Sequence, residues 1–197
     1  MEICPLIILN MNKKKILLAI FVIFFGVSFR IFLNKVIRIP NFEAVTALSL
    51  ISGSFFGGTY AFFIPLSMIF LSDIYFGNTL IRLFTWSAFI LIGVFSTLFK
   101  RNSKYYLYKI TGGGFLSVFF FYIWTNFGWW LTFGMYPMSF EGLLQSYVAG
   151  LPFLKNQLAS VLIFTPVFSL IFSFIFDKLF VRETKKYEDF AFISKIS

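Results

Sequence analysis

Long apolar runs alternate with short polar stretches along the chain. A membrane-spanning helix needs about 20 apolar residues to cross roughly 30 Å of hydrocarbon. Charge-free runs predict six such segments, at about 16–33, 44–57, 58–72, 80–99, 105–125 and 157–176. The pattern therefore predicts an all-α membrane protein, a compact bundle of about six transmembrane helices.

The second and third segments share the uncharged stretch 44–72 and are divided by Gly57 and Gly58. Each arm has about 14 residues, or roughly 21 Å of helix, which is short for a full crossing. The two arms therefore either cross by thinning the bilayer or form a re-entrant hairpin. In both versions their outer ends return to the same side of the membrane.

The connection 126–156 is largely apolar, but its pattern does not predict a crossing. Pro137 stops any helix that begins before it. Ser139 is a suitable N-cap for a short helix that runs to Ala149 and ends at Gly150 and Pro152. We expect a short interfacial helix between the fifth and sixth segments, held by an aromatic belt.

The two ends of the chain are more polar than its middle. Met11 is followed by Asn12 and three lysines and resembles a natural start, so residues 1–12 are predicted to be a flexible N-terminal extension. Residues 13–182 are predicted to form a single transmembrane helical domain. Residues 183–197 are predicted to be a charged cytoplasmic tail.

The composition indicates a membrane protein and excludes several kinds of site. Hydrophobic residues make up 59% of the chain and charged residues 13%, whereas a soluble domain has about 25% charged residues. The chain contains no histidine and one cysteine, Cys4. This excludes histidine general bases, disulfide frameworks and Cys/His metal sites, so we predict no metal, no cofactor and no enzyme.

The net charge of +9 indicates membrane orientation rather than nucleic-acid binding, because Lys and Arg cluster where apolar runs stop. With both termini in the cytoplasm, twelve of the 17 Lys and Arg residues lie inside: Lys13, Lys14, Lys15, Lys100, Arg101, Lys104, Lys109, Lys178, Arg182, Lys185, Lys186 and Lys195. The bias predicts a multi-pass protein of the inner (cytoplasmic) membrane, with the lipid bilayer as its first partner.

A stripe of small residues runs along the second segment. Ser49, Gly53 and Gly57 recur every four residues, which lets two helix backbones approach closely. The stripe is either a packing surface within the bundle or a docking face for a partner helix.

This topology places polar and aromatic residues from distant parts of the chain on the external face. Carboxylates bind cationic or hydroxyl groups, aromatic faces stack on rings, and amides fix orientation, as ligand sites require. The candidate substrate-binding residues are Asn41, Glu43, Asp73, Asn126, Trp129, Tyr136 and Asn156.

Several of these residues have a structural alternative. Asp73 is either a substrate contact or a residue that caps a helix or pairs with Arg82, and Glu43 is either a substrate contact or a cap of the second helix. Trp129 and Trp130 are either belt residues or a pocket wall, and at most one of them lines a pocket because neighbours on a helix point in different directions.

Several motifs carry a resemblance over about residues 36–176: Ile39-Pro40-Asn41-Phe42, Leu71-Ser72-Asp73, Thr125-Asn126-Phe127-Gly128-Trp129-Trp130, Met135-Tyr136-Pro137 and Gly142-Leu143-Leu144-Gln145-Ser146-Tyr147-Val148-Ala149-Gly150-Leu151-Pro152-Phe153. In this order they resemble an uncharacterised bacterial family of membrane proteins associated with transport. That family is similar to the substrate-binding S components of energy-coupling-factor vitamin transporters.

The resemblance implies an S-component-like bundle that takes up a vitamin-like molecule or another micronutrient. It also implies a separate energising ATPase and a coupling membrane protein as partners. S components have an Ala-x-x-x-Ala motif on the first helix for docking on the coupling protein. In this chain Ala19 has Ile23 four positions later, so the motif is incomplete. The competing hypothesis is a non-transporting scaffold or assembly factor that docks a partner helix through the small-residue stripe.

Overall fold

All regular secondary structure in the computed structural model is helical, over the described residues 5–77 and 80–181. The all-α prediction is therefore confirmed for this part of the chain. Short π-helical turns extend three of the helices, to Ile37, Phe56 and Val181. The α-helices are α1 (Pro5–Phe32), α2 (Val45–Ile51), α3 (Tyr60–Phe76), α4 (Arg82–Phe95), α5 (Tyr106–Phe133) and α6 (Phe140–Phe176).

Three helices are long and apolar enough to cross a membrane, and three are shorter. The long ones span Met11–Ile37, Tyr106–Phe133 and Phe140–Val181, and the shorter ones Val45–Phe56, Tyr60–Phe76 and Arg82–Leu98. Apolar helices of this length indicate a membrane protein.

The predicted division of the stretch 44–72 is present in the structure. The turn that extends α2 ends at Phe56, and α3 begins at Tyr60. Gly57 and Gly58 between them have φ angles of 63° and 53°, in the left-handed region that glycine adopts without strain. The chain can therefore reverse direction here within a few residues.

The separate interfacial helix predicted for residues 139–149 is wrong. Ser139 is the N-cap as predicted, and its hydroxyl accepts a hydrogen bond from the Gly142 N–H at 3.2 Å. However, α6 then continues through Pro152 and Pro166 to Phe176. Neighbouring helices make proline tolerable in such a helix, and α5 packs against α6 before Pro152, at Tyr147, and after it, at Val161.

The ends of the predicted domain are described only in part. Helix α1 begins at Pro5, so helical backbone reaches into the predicted N-terminal extension 1–12. The predicted cytoplasmic tail 183–197 lies outside the described residues.

Helix α2 lies at the centre of the bundle. All seven of its residues, Val45–Ile51, are buried, and the other helices surround it. A helix that is buried on every side does not face lipid or water, so it needs no polar or apolar stripe. Its sequence accordingly mixes large aliphatic residues with Thr46 and Ser49.

The small-residue stripe is a packing surface inside the chain. A Cβ atom added to Gly53 would lie 2.0 Å from Ser96 Oγ and 2.2 Å from Gly93 O, so α4 occupies the space in front of it. Ser49 is fully buried, and Gly57 forms the turn at the end of the stripe. The sequence left open whether the stripe packs within the bundle or docks a partner helix, and this geometry agrees with packing within the bundle.

A partly buried ion pair joins three helices near the C-terminal ends of α1 and α3. Arg30 Nη1 lies 2.7 Å from Asp73 Oδ1, and the Trp86 indole N–H donates to Asp73 Oδ2 at 2.7 Å. Arg30 also donates to the Ser72 hydroxyl. Asp73 therefore forms an ion pair, which was one of the interpretations of its role. The prediction that its partner is Arg82 is wrong, because the partner is Arg30.

Substitution of Gly53 by alanine is expected to lower the stability of the bundle. The new methyl group would collide with backbone atoms of α4, and overpacking of this kind costs about 1–3 kcal/mol. The matched control is Gly112→Ala on α5, where an added Cβ has nothing within 4 Å. Thermal unfolding in detergent measures both variants, and equal melting temperatures would contradict the assignment of the stripe to internal packing.

Asp73→Ala is expected to destabilise the fold by about 1–3 kcal/mol, because Arg30 and Trp86 lose their shared acceptor. The double variant with Arg30→Met should lose less than the sum of the two single variants, since the second change removes the unpaired charge. Thermal unfolding of the four proteins in this cycle gives the coupling. Strictly additive losses would show that the pair does not stabilise the bundle.

Candidate functional site

A cavity lies at the end of the bundle where α1 ends and α2 begins, here called the cavity end. Its origin is the difference in helix length, because α6 has 37 residues, or roughly 56 Å, and α2 is only two turns long. Gln157 on α6 is level with Glu43, just before α2. Residues 140–156 of α6 therefore extend beyond the start of α2, and a space remains above it.

The cavity has a volume of about 380 Å³, which is within the usual range for small-molecule sites. Its wall is built from the loop before α2, the start of α4, the second half of α5, the loop before α6 and the first half of α6. No side chain among the described lining residues is charged. These residues are Asn41, Ile81, Thr85, Phe121, Tyr122, Thr125, Asn126, Trp129, Met135, Tyr136, Ser146, Ala149, Gly150, Phe153, Leu154 and Gln157.

Four of the seven predicted substrate-binding residues line this cavity: Asn41, Asn126, Trp129 and Tyr136. The other three do not. Asp73 is held by Arg30 and Trp86, as described above. Glu43 and Asn156 lie behind the wall and act on residues that form it.

Asn126 is held in a fixed position between α5 and α6. Its side-chain N–H donates to the Tyr122 backbone carbonyl at 2.8 Å, and the backbone carbonyl of Asn126 accepts from the Ser146 hydroxyl at 3.0 Å. A Cβ atom at Gly150 would lie 2.4 Å from Asn126 Oδ1. Only glycine at this position leaves room for the amide, which therefore reaches the cavity in one orientation.

The aromatic part of the wall consists of Trp129 and Tyr136. Trp129 stacks on Phe133 with ring centroids 3.9 Å apart. Neither the indole N–H of Trp129 nor the hydroxyl of Tyr136 makes a hydrogen bond to a described residue, so both remain available to a ligand. Trp130 is directed elsewhere, since its indole N–H donates to the Pro137 carbonyl at 2.9 Å and so anchors the loop that carries Tyr136.

The loop before α2 is fastened by Asn156. The Asn156 side chain donates to the Pro40 carbonyl at 2.9 Å. Next to it, Asn41 has a φ angle of 57°, a left-handed conformation that asparagine tolerates better than most residues. Asn156 thus positions Asn41 at the cavity and is not itself part of the wall.

Glu43 caps α2 from below the cavity. Its carboxylate accepts from the Thr46 N–H at 3.0 Å and from the Thr46 hydroxyl. Burial raises the pKa of the Glu43 carboxyl, and the hydrogen bonds from Thr46 and Gln157 and the positive charge of Arg30 oppose this rise. The capping interpretation of Glu43 agrees with this geometry.

Gln157 is the amide of the described wall that sequence reasoning missed. It is 1% exposed, lines the cavity and donates to Glu43 Oε1 and Thr46 Oγ1, each at 3.3 Å. The sequence contains a signal for it, because an amide at the start of an apolar run requires a polar partner once it is buried. Tyr122, Thr85 and Phe153 have no comparable signal.

Comparison with known proteins assigns the chain to a family but not to an activity. No curated protein matches the chain. No solved structure matches it either. Residues 10–184 match the family described as "Family of unknown function (DUF6580)". Since this match covers most of the chain, the protein belongs to the DUF6580 family, whose function is unknown.

Proposed function

We propose that the protein is the substrate-binding component of a small-molecule uptake system, for a vitamin-like molecule or another micronutrient. The observation that carries the proposal is the cavity, which combines two unpaired aromatic donors with amide side chains from three parts of the chain. A concave, mostly apolar site with a few fixed polar groups is the usual form of a small-molecule site.

In this proposal all six helices cross the bilayer and the cavity end faces outside. The support comes from the opposite end of the bundle, where the loop between α4 and α5 carries Lys100, Arg101 and Lys104. Arg101 pairs there with Asp177 at 2.9 Å, so the start of α5 and the end of α6 lie together at this end of the bundle, opposite the cavity. Basic loops of this kind remain on the cytoplasmic side.

The proposal includes a likeness to the S components of energy-coupling-factor transporters. A separate ATPase and a coupling membrane protein would then supply the energy. Ala19 on α1, the first residue of the incomplete Ala-x-x-x-Ala motif, is only 4% exposed. A coupling protein would therefore contact a different surface of this chain.

The scaffold hypothesis has less support, because α4 fills the space that a partner helix would need at Ser49 and Gly53. Catalysis is not part of the proposal. The two carboxylates that a bilayer enzyme would use, Asp73 and Glu141, lie outside the described cavity wall.

Trp129→Ala is expected to remove most of any small molecule that the protein retains during gentle purification. The substitution deletes the largest aromatic surface of the wall together with a free N–H donor, and a buried aromatic contact of this size contributes about 1–3 kcal/mol, a roughly five- to hundredfold change in affinity. Native mass spectrometry of the purified protein measures the bound fraction.

The matched control is Phe119→Ala, which removes an exposed ring on α5 outside the wall. It should leave both the folded yield and the bound fraction unchanged. Equal retention by Trp129→Ala and wild type would reject the cavity as the binding site.

The orientation is tested by labelling single cysteines in intact cells, in a Cys4→Ser background. A membrane-impermeant maleimide should react with Met138→Cys, at an exposed position of the cavity end, and not with Asn102→Cys, at an exposed position of the opposite end. Opening the membrane should make both react. Labelling of Asn102→Cys alone in intact cells would show that the orientation is the reverse of the proposed one.

A further inference from the structure

A buried carboxylate lies directly behind one amide of the cavity wall. Gln157 lines the cavity, and its Nε2 lies 3.3 Å from both Glu43 Oε1 and Thr46 Oγ1. The Thr46 hydroxyl itself donates to Glu43, so its lone pairs are free to accept from Gln157. Both neighbours of the Gln157 amide on this side are therefore hydrogen-bond acceptors.

This arrangement fixes which end of the Gln157 amide faces the cavity. The Thr46 hydroxyl already donates its proton to Glu43 and can only accept from Gln157, so the amide must direct its NH₂ group toward Thr46 and Glu43. A flipped amide would place its oxygen against two acceptors. Oε1 is therefore the end that remains for the cavity, and it makes no hydrogen bond to any described residue.

The rest of the wall disfavours ions. A charge that leaves water without a partner loses its hydration free energy, and the described wall has no charged side chain to compensate this loss. A cation cannot use Glu43 in place, because Glu43 does not line the cavity and lies behind Gln157, with both of its oxygens already accepting hydrogen bonds. The aromatic faces of Trp129 and Tyr136 stack on a ring, and their attraction for a cation is weaker than the cost of removing that cation from water.

We propose that Glu43 is a positioning residue that holds Gln157 as a hydrogen-bond acceptor, and that the cavity takes an uncharged, ring-bearing molecule that donates an N–H or O–H to Gln157 Oε1. This rests on the proposed function, in that the cavity must be a binding site. It replaces the direct substrate contact predicted for Glu43 from the sequence.

Four bicyclic probes of similar size test the proposal by titration calorimetry on the purified full-length protein. Carbostyril is an uncharged lactam with an N–H donor, and N-methylcarbostyril carries a methyl group in place of that hydrogen. Quinaldate is an anion, and N-methylquinolinium is a cation. Wild type should bind carbostyril about tenfold more tightly than N-methylcarbostyril, the value of one good hydrogen bond, and should bind both ions more weakly still.

Glu43→Gln should reduce the preference for carbostyril over N-methylcarbostyril to about threefold or less, because an amide at this position accepts or donates and no longer fixes Gln157. Gln157→Leu should abolish the preference. The matched control is Glu141→Gln, an exposed carboxylate of the first turn of α6, which should keep it. Structural damage alone would weaken both lactams equally, so the ratio reports positioning.

The inference is overturned if wild type binds the two lactams equally, prefers an ion, or binds none of the four at millimolar concentration. It is also overturned if Glu43→Gln keeps the full preference. Trp129→Ala in the same titration separates this failure from failure of the proposed function. If both lactams bind equally and Trp129→Ala weakens the binding of both, the cavity remains the site and only the role of Glu43 is rejected. If Trp129→Ala leaves lactam binding unchanged, the cavity itself is rejected as the site.

Discussion

The enclosure of α2 by the other helices is the constraint on which the rest of the structure depends. Every residue of Val45–Ile51 is buried, and Gly53 brings the backbone of α4 so close that a methyl group has no space. A two-turn helix in this position cannot extend the full length of the bundle. The long helices α5 and α6 continue past it, and the cavity is the space that remains above its first turn.

The same enclosure determines the chemistry of the cavity. The start of α2 presents unpaired backbone N–H groups, which an acidic residue satisfies. Glu43 does so, and because it is removed from water its remaining acceptor capacity requires further donors. Gln157 supplies one of them. The cap of a central helix thus decides which hydrogen-bonding group the wall offers, although the carboxylate itself does not line the cavity.

Sequence reasoning located the helices well where composition alone decides and less well where neighbours decide. Apolar runs predicted the all-helical class, and Gly57 and Gly58 marked the turn between two of the helices. Pro152 predicted the end of a helix, because an isolated helix loses a hydrogen bond and gains a clash there. In the bundle α5 lies alongside α6 at this point, and the Tyr122 hydroxyl donates to the Tyr147 carbonyl one turn earlier, so the helix continues.

The sequence by itself determined the all-helical class, the end of the bundle at which the polar residues collect, and Asn41, Asn126, Trp129 and Tyr136 as candidates. These follow from hydrophobic run lengths and from the alternating direction of successive helices, which are local properties of the chain. Only the tertiary structure decided that Asp73 pairs with Arg30, that Gly53 packs against α4 and that Gln157 stands between Glu43 and the cavity. Those contacts join residues 40 or more positions apart, and no local pattern specifies which partners meet.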